Sequence, residues 1–355
     1  MADIRPLERT LSSNVAWNKA RINFLAKFLV ALIQVKTVNL VQVACAFSGR
    51  AKPDSHYKRI QRFLSGFDLC YATIARFVVK LADTQPPWVI TMDRTDWYFG
   101  QTPLNILTLG IVHQGIAFPL LWVILEKKGC SATAERIALL EEFDRLFGFA
   151  AMAHLCADRE FIGKDWFAYL AERQIDFRIR LRANTKISNV RGQMRQARRL
   201  FAHLRVGQSQ ALPGKRRLLG VALYVSGMRV AGGEFLIIAR AAAGETAMQD
   251  YAKRWEIETL FGCLKSRGFC LEQTHVTEAE RLKKLVALMA LAFCWAHVVG
   301  EWLSRQKPLP VKKHGRKARS IFRYGFDHLR RLLCNLSSRT QQIAFRQVIQ
   351  LLSCT

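Results

Sequence analysis

The chain has 355 residues, with 54 Lys or Arg against 27 Asp or Glu, a net charge of +27 and a pI near 10.3. Half of it is hydrophobic, so it is no disordered basic tail, and the length suits two or three domains. Such an excess of positive charge repels itself in a compact chain unless a polyanion neutralises it, which argues against an acidic small-molecule enzyme and for nucleic acid as partner.

Residues 1 to about 85 carry apolar positions at helical spacing, through Phe24, Leu25, Phe28, Leu29 and Leu32 and again from Val38 to Phe47. Between Lys19 and Arg62 nine basic residues stand against one acid, Asp54. A small all-helical, DNA-binding N-terminal domain over 1–85 is the expectation. The start, MADIRPLERTLSS, is mixed in charge and lacks a secretory apolar core.

Pro86-Pro87 changes the texture. Trp88 to Met92 reads as a strand ending at Asp93, followed by apolar runs at Ile106–Val112 and Phe118–Leu125 with a hairpin signal at Gly115. Ser131 to Phe147 reads as a helix capped by Ser131, Met152 to Ala157 as a strand ending at Asp158, Lys164 to Arg173 as a helix and Phe177 to Leu181 as a strand. Three strands followed by alternating helices and strands is the order of a ribonuclease-H-like mixed α/β sheet, here over residues 86–304. From Arg180 to Arg217 there are eleven basic residues and no acid. With strands expected at 218–226 and 228–240, turning at Gly227 and at Gly232-Gly233, residues 183–240 read as a basic, β-rich insertion.

Helices are expected at about 246–267 and 277–303. The second contains the longest apolar run, Leu285 to Gly300; it is short for a membrane span and reads as a buried core helix, so no membrane partner is expected. The segment 305–355 is basic, with ten Lys or Arg and one acid, Asp327, between Arg305 and Arg331. Aromatic and aliphatic residues from Ile321 to Leu332 interleave with those charges and suggest a folded segment lying against phosphate. The nine cysteines are scattered, which fits reduced filler in a cytoplasmic protein.

No nucleotide-binding or serine-nucleophile motif is present, and the eight histidines show no close pairing of a zinc type. What remains is carboxylate. Phosphodiester cleavage uses two Mg²⁺ about 3.5–4 Å apart, and Mg²⁺ takes hard oxygen ligands. Asp93 and Asp158, each at the end of an expected strand, would meet if those strands are neighbours. Asp96 and Glu160 lie just beyond and compete less well. In the helix at 246–267, Tyr251, Arg254, Glu258 and Lys265 fall within roughly 60° of one another at about 100° per residue, whereas Glu256 points away. Glu258 is therefore the preferred third acid. Trp97 and Trp255 could stack on a displaced base, but core packing is the expectation for both.

These pieces resemble a DDE transposase of insertion-sequence family four, marked by a Y-R-E-K helix: Asp93-Arg94-Thr95-Asp96-Trp97, Ala157-Asp158-Arg159-Glu160-Phe161, Tyr251 to Lys265, and the tail His314 to Gly325. The resemblance implies that Asp93, Asp158 and Glu258 are catalytic and hold two Mg²⁺, with Mn²⁺ able to substitute. It implies that Tyr251, Arg254 and Lys265 contact DNA. Water would free a 3′-OH at the element end, and cut-and-paste transfer would proceed through a hairpin. The insertion carries no Trp; its large aromatics are Phe201, Tyr224 and Phe235. The implied partners are double-stranded DNA, at element ends and target, and a second copy of the chain in the synaptic complex. The implied location is the bacterial cytoplasm, at the nucleoid. The rival readings are a nuclease of the same fold without strand transfer and an inactive DNA-binding relative.

Overall fold

The computed structural model describes residues 4–313, 315, 317–335 and 339–353. Five helices come first: α1 (Arg5–Ser12), α2 (Lys19–Val35), α3 (Leu40–Cys45), α4 (Pro53–Gly66) and α5 (Tyr71–Ala82). Asn18 and Asn39 cap α2 and α3 through their side chains, satisfying backbone N–H groups that a helix start leaves open. The five helices pack on later elements, and their buried residues belong to one core shared with the sheet.

Three long antiparallel strands follow, β1 (Trp88–Phe99), β2 (Thr102–His113) and β3 (Ile116–Ile124). Gln114 and Gly115 both take positive φ in the β2–β3 turn, the geometry a two-residue hairpin needs. Then come α6 (Thr133–Phe147), β4 (Met152–Ala157), α7 (Lys164–Glu172) and β5 (Phe177–Leu181). Ser131 does not cap α6; its hydroxyl and carbonyl accept from the buried Arg136.

The expected insertion contains β6 (Lys186–Ser188), β7 (Met194–Gln196), α8 (Ala197–Leu200), β8 (Ser209–Ala211), β9 (Arg216–Leu218), β10 (Val221–Arg229) and β11 (Phe235–Arg240). The main sheet runs β3-β2-β1-β4-β5-β11-β10-β8, with β4 parallel to β1 and β5. Its first five strands have the ribonuclease-H-like order, and β11 and β10 extend the sheet instead of forming a separate one. Gly227 is not a turn: it lies within β10, where a Cβ would come 2.5 Å from the ring of the buried Phe201. The glycine is there to admit that ring.

The helix expected at 246–267 is two, α9 (Ala247–Ala252) and α10 (Trp255–Leu264). The long α11 (Ala279–Gln306), α12 (Ile321–Cys334) and α13 (Arg339–Gln350) complete the chain. By length and composition α11 could cross a membrane, but 89% of its apolar window is buried inside the fold. In α12, Phe322, Phe326, Leu329 and Leu332 are buried on α11, so its apolar side faces the core and not phosphate. His314 and Arg316 of the tail motif lie outside the described residues.

Candidate active site

β1 does not stop at Asp93 but continues to Phe99. What ends there is its parallel ladder with β4, whose last pair is Met92 with Ala157. Asp93 and Asp158 are the next residue on each strand, so the two carboxylates emerge side by side where β4 leaves the sheet. Asp93 remains paired to Thr108 of β2, which fixes its backbone.

Glu258, on α10, is linked to this edge through Arg254, at the break between α9 and α10. Tight turns carry the chain across it, with Arg254 N–H donating to the Tyr251 carbonyl. The 100° rule does not hold across such a break, yet three of the four Y-R-E-K residues still converge. Tyr251 donates its hydroxyl to Asp158 at 3.3 Å. Arg254, only 2% exposed, donates to Asp93 at 3.1 Å and to Glu258 at 2.7 Å. One guanidinium thus ties the first and third acids together. Lys265 does not join them; it bonds the Asp96 carbonyl at 3.2 Å and pairs with Glu272 at 2.9 Å.

Neighbouring acids are spoken for. Glu160 accepts from Arg94 at 3.1 Å, Asp96 pairs with the same arginine, and Glu256 accepts the His113 backbone N–H at 3.0 Å. Burial pushes the Asp93 carboxyl up to about 7, with Glu160 and Asp158 adding to the rise against the pull of the Arg94 N–H and Arg254. A buried acid whose pKa is raised mainly by desolvation, beside a specific charge partner, is a candidate functional group. The donors are all carboxylate oxygen, the set that suits Mg²⁺ or Mn²⁺. Arg254 lies between Asp93 and Glu258, and the oxygens of the three acids do not all come within 4.8 Å of one another, so the set fits a divalent metal by its chemistry and not by a closed geometry.

The two tryptophans part company. Trp97 is buried, with the Lys265 ammonium 5.5 Å over its ring. Trp255 was expected in the core but is 54% exposed, with the Arg254 guanidinium 4.5 Å from its ring.

Sequence spacing missed two polar clusters. His113, His297 and Glu301 bring their ligand atoms within 4.8 Å of one another, the one such group of three among the described residues. Only the i,i+4 relation of His297 and Glu301 hinted at it. Burial pushes Glu301 up, but bonds from His113 and His297 outweigh it and hold the carboxyl at about 2. Below the active site, Arg178 joins Asp176 and Asp250 beside the buried His154. Burial, then Arg178, drives His154 down to about 4.

Both shifts act in one direction with pH. A His of lowered pKa stays neutral in the fold while the unfolded chain takes a proton, so stability is lost from 6.5 downward until about 4. The Glu301 contribution is present above the ordinary 4.5 and disappears toward about 2. Urea unfolding should therefore show a loss of about 2–3 kcal/mol from the His154 shift alone between neutral pH and pH ~4. In His154→Asn the slope over that window should flatten; an unchanged slope would contradict the assignment.

The sheet has the ribonuclease-H-like strand order, with Asp93 and Asp158 at the end of its central parallel pair. Residues 104–295, more than half the chain, match the family described as Transposase DDE domain, and the chain belongs to that family: it is a DNA transposase. The matched stretch holds Asp158 and Glu258, while Asp93 precedes it. Seven chains of solved structures match. One is from a cryo-EM structure of the piggyBac transposase synaptic complex with hairpin DNA, at 12% identity and a TM-score of 0.50, covering 95% of this chain and 76% of that one. No curated protein sequence matches.

Proposed function

We propose that this transposase moves its element by cut-and-paste, as a member of insertion-sequence family four, with Asp93, Asp158 and Glu258 as the catalytic acids. The observation that carries the reading is the register of β1 on β4, which sets two carboxylates side by side, with Arg254 drawing the third to them. The three acids would hold two Mg²⁺, or Mn²⁺. Bound there, the metal supplies a nucleophile active at neutral pH and charge stabilisation for the leaving oxygen.

The reaction assigned to the site is attack of water on a phosphodiester at the element end. The bond from phosphorus to the 3′ oxygen breaks, and that oxygen takes a proton to become a 3′-OH. The hydroxyl then attacks a phosphodiester on the opposite strand, where the bond from phosphorus to the flanking 3′ oxygen breaks and a hairpin closes the element end; water opens the hairpin and restores the 3′-OH, which attacks a target phosphodiester and releases a target 3′-OH. Arg254 orients Asp93 and Glu258, and Tyr251 holds Asp158 in place. Lys265, bonded elsewhere at rest, would approach DNA only by exchanging those bonds for phosphate. For a displaced base the exposed Trp255 is our choice, because the insertion has no Trp and Phe201 is buried. Two DNA ends call for two copies of the chain. We place the reaction in the bacterial cytoplasm, at the nucleoid.

The test is purified protein with Mg²⁺, a duplex ending in the element's terminal repeat, and a target plasmid. Cleavage at the repeat with joined plasmid product is expected. Cleavage without joining would make it a nuclease of the same fold, and binding without cleavage an inactive relative.

A further inference from the structure

We propose that His113, His297 and Glu301 form a zinc site that fastens the β2–β3 hairpin to α11. The site uses none of the catalytic acids and does not depend on the function proposed above.

The three side chains come from two distant stretches of chain. His113 is the last residue of β2, at the hairpin turn. His297 and Glu301 stand four apart on α11, which puts them on one helix face. The Nε2 of His113 lies 2.6 Å from Oε1 of Glu301, and the Nε2 of His297 lies 3.4 Å from the same oxygen. One ligand atom from each residue falls within 4.8 Å of the other two. Zinc bonds nitrogen and oxygen at about 2.0–2.2 Å in a tetrahedron, which sets neighbouring ligand atoms about 3.3 Å apart. The His297 contact already has that length, and His113 has to draw back by about 0.7 Å. A water completes the four-coordinate shell. Two imidazoles with one carboxylate are a donor set that zinc takes, whereas Mg²⁺ takes oxygen, so this ion differs in kind from the one the catalytic acids suit.

His297 supplies the need for a ligand. It is 2% exposed, its Nδ1 has no partner, and its Nε2 reaches only the long contact to Glu301. A buried polar ring without a good bond is costly, and an ion answers what the fold leaves unmet. Apolar rings wall the cluster. Phe118 meets both imidazoles edge-on, with centroids 5.1 and 5.3 Å away, and Phe293 stacks on His297 at 6.1 Å. Such walls fix the imidazoles and keep bulk water from the ion. The charge around it favours a cation: Glu256, which accepts the His113 backbone N–H at 3.0 Å, adds a second carboxylate against one lysine, Lys317. The Glu301 side chain is 11% exposed, which gives the ion a way in. Zinc there ties together the hairpin, α11 and, through Glu256, the helix that carries Glu258.

The test uses full-length protein stripped with a chelator and then given Zn²⁺ or Co²⁺ beside excess Mg²⁺, which competes for the catalytic acids. After gel filtration about one Zn²⁺ per chain should remain, and Co²⁺ should show the intense visible absorption of a four-coordinate site instead of the faint one of six oxygens. Zinc at about 100 times its dissociation constant should raise the melting temperature by about 3–5 °C. His297→Asn and Glu301→Gln should each lower zinc affinity by about 100-fold or more, and Asp158→Asn should keep both the zinc and the cobalt spectrum. Should His297→Asn fold poorly, Glu301→Gln, which preserves the shape of the side chain, carries the test. A parent that retains no zinc, or zinc retained by both variants, overturns the proposal and leaves the transposase reading standing. Zinc lost in Asp158→Asn but kept in Glu301→Gln places the ion on the catalytic acids and overturns it too. Failure of Mg²⁺-dependent cleavage would remove the catalytic assignment and leave zinc binding as measured.

Discussion

Single substitutions Asp93→Ala, Asp158→Ala and Glu258→Ala are each expected to reduce strand cleavage by on the order of 10³-fold or more, with duplex binding kept. The acids are separated widely in sequence but meet where the β1–β4 ladder ends, tied by Tyr251 and Arg254. On the proposed assignment, removing one leaves the metal with too few ligands, while the Lys and Arg residues outside the acid cluster are untouched. The variants differ in stability in an informative way. Asp93→Ala leaves the buried Arg254 with Glu258 alone but also removes a carboxyl that burial disfavours when ionised, so its two effects oppose, whereas Glu258→Ala removes an acid that is 43% exposed. Gel-resolved cleavage of an end duplex with Mg²⁺, beside binding by anisotropy, checks the set. Retained cleavage in all three would remove the active-site assignment.

Gly325→Ala is expected to destabilise the protein by about 3–5 kcal/mol. The helices α11 and α12 cross at two glycines. A Cβ on Gly325 would lie 1.9 Å from the Ala296 carbonyl oxygen and 2.3 Å from the Gly300 backbone nitrogen. Backbone cannot yield as a side chain can, so α12 has to lift off. The stacked rings of Phe293, Phe322 and Phe326 then separate, and Phe269, beyond the end of α10, loses its partners. Because α10 carries Glu258, part of the loss should appear as lower cleavage. Gly66→Ala is the control: it ends α4 with no atom within 4 Å of the new methyl, and should shift the urea midpoint little. Equal behaviour of the two variants would contradict the crossing.

How far the sequence alone reached depends on the range of the interaction that decides each feature. Hydrophobic alternation gave the strand and helix order from Trp88 to Leu181, because each strand shows its burial locally. It also marked Asp93 and Asp158, since an acid directly after an apolar run is visible without knowing its neighbour. It could not see that β1 runs on to Phe99, because Thr95 and Trp97 are buried by packing from distant elements. The turn read at Gly227 failed likewise: a glycine that admits a Phe201 ring looks the same in sequence as one that bends the chain. The single helix over 246–267 was a reading of period, and period cannot register the break that lets Arg254 face two acids at once.

The residue types were decided by the sequence: a basic chain with few acids, and among those few a set whose surroundings suit metal and phosphate. Their meeting was decided by tertiary structure. The pairing of β1 with β4 and the bonds that Tyr251 and Arg254 make to Asp158 and Asp93 are contacts across 64 to 161 positions, of which the hydrogen bond from Arg254 to Asp93 spans 161 and that from Tyr251 to Asp158 spans 93. The convergence of His113, His297 and Glu301 arose in the same way. Local pattern encodes what each segment buries; which segments it buries against is set by the packing of the whole core.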